Sequence, residues 1–111
     1  MPNEESASTN STALEFGHVT PILRVSNIEA SLDYYIRALG FALEWPHGQF
    51  GSVRRGKASF MLCEGDQGHG GSWVWLAVGD ADAGHEQLRT RGAAIRHPPR
   101  NYPWGSRELQ V

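Results

Sequence analysis

The chain has 111 residues, 40% of them hydrophobic, with 12 acidic and 10 basic side chains and a formal net charge of −2. That describes one small domain with a modest core, too short to hold two independent cores. The charge balance leaves no electrostatic footprint for nucleic acid or an anionic membrane, and no apolar run reaches the length of a membrane span.

Residues 1–17 are rich in Ser, Thr, Asn and Glu and lack the basic start and apolar middle of a signal peptide. They read as a disordered polar leader on a cytoplasmic protein, with Leu14 and Phe16 available to tuck onto the domain. Residues 18–64 form the first structured unit. Thr20 to Val25 is aliphatic and β-branched, which predicts a strand, and Ser26-x-x-Glu29 has the spacing of a capping box at a helix start. Ile28, Leu32, Tyr35, Ile36 and Leu39 then make one apolar stripe at helical spacing, and Gly40 supplies the left-handed stop. Three strands follow: Phe41 to Trp45, Gln49 to Arg55 and Ala58 to Glu64, the last two joined by a tight turn at Gly56-Lys57. The order is β-α-β-β-β.

Residues 65–72 (GDQGHGGS) are a glycine-rich linker without apolar anchors. A phosphate-cradling loop would need a following helix or a Lys-Ser/Thr pair, and neither is there. Residues 73–111 repeat the first unit in weaker form. Trp73 to Val78 reads as a strand, Gly79-Asp80 as a cap, Ala81 to Arg91 as a helix, Gly92 as its stop and Ala93 to His97 as extended chain. A turn over Pro98 to Pro103 and a strand from Ser106 to Val111 complete it, one strand short of the first unit. Laying Val25 on Val78 puts Asn27 on Asp80, and Gly40 on Gly92 after a one-residue gap, the pattern of a duplicated module.

Candidate chemistry is sparse. His18, His47, His69, His85 and His97 have no i, i+4 or H-x-H spacing that would bring two imidazoles to one ion. The lone cysteine, Cys63, has no internal disulfide partner and reads as a buried small hydrophobe. Its neighbour Glu64 falls on the opposite strand face, so no catalytic residue is assigned.

Three stretches carry a family resemblance: VTPILRVSNIEASLDYYIRALGF (19–41), VGDADAGHEQLRTRGA (78–93) and YPWGSREL (102–109). They resemble the glyoxalase/bleomycin resistance/dioxygenase superfamily, the vicinal oxygen chelate proteins. The resemblance implies an α+β fold of two paired βαβββ modules that curl into a half-open barrel around a cavity, usually completed by a second subunit. It also implies one more strand than the second module has here, so that the chain is truncated or its missing edge is filled by another chain.

The same resemblance maps three of the family's metal positions onto Thr20, onto or near Met61, and onto Trp73, none of which carries the His or Glu of the family's enzymes; the fourth lies beyond Val111. That agrees with the metal-free resistance proteins. With Thr20 and Trp73 facing inward, strand alternation adds Arg24 and Trp75 to the lining, while Phe50, Tyr102 and Trp104 lie at the rim. The expected function is a homodimeric, metal-independent protein that sequesters a flat aromatic, bleomycin-like ligand, with no cofactor. The alternative is a lyase, isomerase or dioxygenase holding one divalent ion through non-standard ligands: Glu64, His69 and a residue beyond Val111. For Trp73 and Trp75 the competing reading is core or subunit packing. For Trp104 it is a plug at the barrel end, and for Arg24 an ion pair with Glu44 or Glu108.

Overall fold

A computed structural model describes residues 14–111. Most of the expected leader thus lies outside the described residues, and Leu14 and Phe16 are exposed rather than tucked in. Among the described residues no helix is long and apolar enough to cross a membrane.

The first unit runs β1 (Ile22–Arg24), α1 (Ile28–Arg37), β2 (Ala42–His47), β3 (Phe50–Arg55) and β4 (Ala58–Cys63). These strands make one sheet in the order β1-β4-β3-β2, with β1 parallel to β4 and the other pairs antiparallel. The crossover lays α1 against one face. Ile28, Phe41, Val53, Phe60 and Leu62 are buried there, with Leu23, Val25, Leu32, Tyr35 and Leu39 packed around them. The ring of Phe60 meets Tyr35 and Phe41 at 5.9 and 5.7 Å between centroids, an aromatic cluster that fixes the helix on the sheet. A Cβ at Gly51 would come within 2.8 Å of Leu32, so the close approach of α1 to β3 needs glycine at that position.

The start of α1 differs from the expected capping box. Asn27 is the N-cap, its side chain accepting from the Ala30 amide, and the Ile28 amide donates to Glu64 Oε2 at 2.8 Å. A carboxylate from just past the end of β4 therefore satisfies one of the free amides of the helix's first turn.

The second unit has α2 (Ala81–Thr90), β5 (His97–Asn101) and β6 (Arg107–Gln110). Asp80 caps α2 with φ −148° and ψ 108°, beside −147° and 110° at Asn27, so the two caps repeat in conformation as well as in alignment. Gly40 and Gly92 end the helices with φ of +76° and +86°.

Three expectations change. Trp73 to Val78 is not part of any sheet, and every residue in it is exposed. It stands where β1 stands in the first unit, and β1 draws its hydrogen bonds from β4 alone; no counterpart of β4 lies beside it among the described residues. Pro98 and Pro99 lie within β5 rather than in a turn, because the ladder is irregular between His97 and Arg100, where two residues without amide hydrogens fit. The linker is also anchored: Gly68, at φ +80°, sits so close to β1 that an added Cβ would be 2.7 Å from the Ile22 carbonyl oxygen.

Polar contacts join the units. Arg55 donates to Gln87 Oε1 at 2.7 Å, and the Ala94 amide donates to the Tyr34 hydroxyl at 2.9 Å. No strand of one sheet touches a strand of the other. The α+β architecture stands, with a helix backing a four-stranded sheet, and the strands do not close into a barrel.

Candidate functional site

Each sheet has a face turned away from its helix, and the expected site residues divide between the two. On the first sheet, Phe50, Ser52 and Arg54 of β3 alternate with core positions, as do Ser59, Met61 and Cys63 of β4. Met61 is opposite both Ser52 and Ile22, and Thr20 lies just ahead of β1. The irregularity between Leu43 and Trp45 brings Glu44 onto this face. Its Oε1 accepts from Ser52 and Ser59 hydroxyls at 2.6 and 3.2 Å, and its Oε2 from Arg54 at 2.7 Å. The Ser52 and Arg54 hydrogen bonds hold the Glu44 carboxyl below its ordinary pKa. Arg24 pairs with neither Glu44 nor Glu108; its Nε points to the Gln67 carbonyl at 3.4 Å. Cys63 is buried, as a packing residue should be.

The second unit holds the tryptophans. Trp73, Trp75 and Trp104 are 68%, 68% and 69% exposed. Trp75 Nε1 and Trp104 Nε1 donate to Glu108 Oε2 at 3.3 and 3.1 Å, and the Ser106 hydroxyl donates to the same oxygen at 2.6 Å. Those bonds, Ser106 first, lower the Glu108 pKa and keep it ionised at neutral pH. Tyr102 stacks on Trp104 at 4.8 Å, Arg100 lies 5.0 Å over Tyr102, and Arg96 lies 5.0 Å over Trp73. An open groove of about 790 Å³ runs between residues 73–82 and 106–111, with Leu88 of α2 among its lining.

Trp73, Trp75, Tyr102 and Trp104 are thus brought together, while Thr20, Arg24, Phe50 and Met61 gather on the other sheet. Sequence reasoning named Glu108 and Glu44 only as partners for Arg24. The usable signal for Glu108 was its spacing: Ser106 and Glu108 alternate onto one face. Among the described residues no set of side chains fits a divalent ion. No three His, Cys, Asp or Glu side chains gather among the described residues, and Glu64 is engaged by the Ile28 amide.

The model of the Glyoxalase/Bleomycin resistance protein/Dioxygenase superfamily matches residues 15–110. The chain belongs to this superfamily. A search of curated proteins returns no match. Among solved structures, this superfamily member is similar to a bleomycin-binding protein from bleomycin-producing Streptomyces verticillus, complexed with copper(II)-bleomycin. The TM-score is 0.72 at 24% identity over 87% of each chain. A superfamily member from Sphaerobacter thermophilus DSM 20745 aligns with TM-score 0.66 and 26% identity, over 86% of this chain and 88% of that one. A bleomycin resistance determinant encoded on the transposon Tn5 aligns with TM-score 0.66 and 20% identity, over 85% and 86%.

Proposed function

We propose that the protein is a metal-independent small-molecule binder of the bleomycin-resistance type. It sequesters a flat aromatic ligand in a cavity completed across a homodimer. The observation that carries this reading is that Trp73, Trp75 and Trp104 are each more than two-thirds exposed, with Trp73 and Trp75 lining an open groove and Trp104 sharing Glu108 with Trp75. Exposed aromatic surface of that kind suits stacking of a flat ligand. The poor fit of the residues to a divalent ion supports the metal-independent form, and the likeness to the Streptomyces verticillus bleomycin-binding protein supports the ligand class. Two inner faces that do not meet within one chain suit a dimer in which each subunit completes the other's cavity. A cytoplasmic setting belongs to the same proposal, resting on a free cysteine kept inside the core.

The test is a tryptophan-fluorescence titration of the purified chain with metal-free bleomycin, with light scattering to follow the dimer. Trp75→Ala and Trp104→Ala are each expected to weaken binding about tenfold, as for a central aromatic contact, while the dimer persists. Unchanged affinity in both variants removes the aromatic clamp. Tight uptake of one zinc, nickel, manganese or ferrous ion per subunit overturns the metal-independent form.

A further inference from the structure

The faces turned away from the two helices each carry a carboxylate held by side-chain donors, and they differ in charge. Glu44 has its cation: Arg54 Nε lies 2.7 Å from Oε2. Glu108 has none within ion-pair distance among the described residues. Its three donors, two indole N–H groups and a hydroxyl, all converge on Oε2, and among the described residues none donates to Oε1. Arg100 stands opposite Glu108 across the β5–β6 ladder, but its Nε donates to the Tyr102 hydroxyl at 3.0 Å instead. The surrounding rings already accept cations: one guanidinium lies over Trp73 and another over Tyr102. Ring faces are electron-rich, so these aromatic groups and the carboxylate favour the same sign of charge.

We propose that Glu108 is the polar anchor of the aromatic site, and that the site selects planar heteroaromatic ligands bearing a positive charge or a charged N–H donor, which stack on Trp75 or Trp104 and donate to Oε1. This rests on the aromatic-binding reading and sharpens it. Strand alternation had added Arg24 to the cavity lining. Arg24 is on the other unit's sheet, so it brings no positive charge to this site.

The experiment is isothermal titration calorimetry of the full chain at slightly alkaline pH with three tricyclic probes of similar size: 9-aminoacridine (cationic), acridine (neutral) and acridine-9-carboxylate (anionic). The expected order is cation tightest, by about fivefold over the neutral probe, as for one partly solvated ion pair, and anion weakest. Glu108→Gln is expected to remove the cation's advantage while leaving acridine binding unchanged. Raising salt to about 0.5 M should shrink the same advantage in the unaltered protein, a readout that needs no variant. Equal binding of all three probes, or a cation preference that survives Glu108→Gln, overturns the role of Glu108 and leaves the aromatic site standing. Binding by none of the three overturns both.

Discussion

Glu64 separates a structural role from a catalytic one. Its Oε2 accepts from the Ile28 amide at 2.8 Å, at the first residue of α1, so it caps a helix from the far end of β4. A side-chain cap contributes about 1 kcal/mol, and a carboxylate at a helix N-terminus adds about 0.3–1 kcal/mol through the helix dipole. Glu64→Ala is therefore expected to lose about 1–2 kcal/mol, which for a domain of this size lowers Tm by roughly 5–15 °C. Glu64→Gln keeps an acceptor without the charge and should lose about half as much. Thermal unfolding followed by circular dichroism gives the stability, and hydrogen exchange at the Ile28 amide locates it: protection should fall in Glu64→Ala at that amide first. A Glu64→Ala variant within about 0.3 kcal/mol of the original, below the range for a lost cap, refutes the reasoning. So does a loss of Tm seen only when divalent metal is present, because Glu64 would then be a ligand.

Phe60→Ala removes a ring that is 3% exposed and packed on Tyr35 and Phe41. It is expected to cost about 3–5 kcal/mol in urea denaturation, and a loss under about 1.5 kcal/mol would mean the cluster is not the core's centre. Gly68→Ala places a methyl against the Ile22 carbonyl and the Arg24 amide at a backbone φ of +80°. It should destabilise by at least about 1 kcal/mol, the cost of strain at a left-handed position, and a neutral result would detach the linker from β1. In acid, Glu44 and Glu108 have lowered pKa values, so their contribution is fully present above the ordinary value of 4.5 and is lost as pH falls through the lowered ones. Tm should stay level from neutral pH to about 5 and decline below 4.5, with a change in tryptophan emission as Glu108 releases its indoles; a decline that begins near pH 6 would assign acid sensitivity to other groups.

Much of the first unit was readable from the chain because its signals are local. The stripe from Ile28 to Leu39, the stop at Gly40 and the alternation of Ser59, Met61 and Cys63 with Phe60 and Leu62 each follow from a fixed geometric period. The candidate site was less readable. Trp73, Trp75, Tyr102 and Trp104 are conspicuous by residue type, but nothing local says that two indoles and Ser106 converge on Glu108, more than 30 residues from Trp75. Arg24 was placed correctly as to strand and wrongly as to partners, since strand period gives a face and not what lies across from it.

The sequence alone determined the two helices, the cap of α2 at Asp80 and the glycine stops at Gly40 and Gly92, because helix termination and most capping are settled within a few residues of chain. Only the tertiary structure decided what became of Trp73 to Val78, which has the composition of a strand but no ladder among the described residues. A helix makes its hydrogen bonds within itself, whereas a strand exists only where another segment supplies its partners. The same dependence on distant chain explains why the cap from Glu64, the approach of Gly68 to β1 and the carboxylate anchor at Glu108 came from the fold.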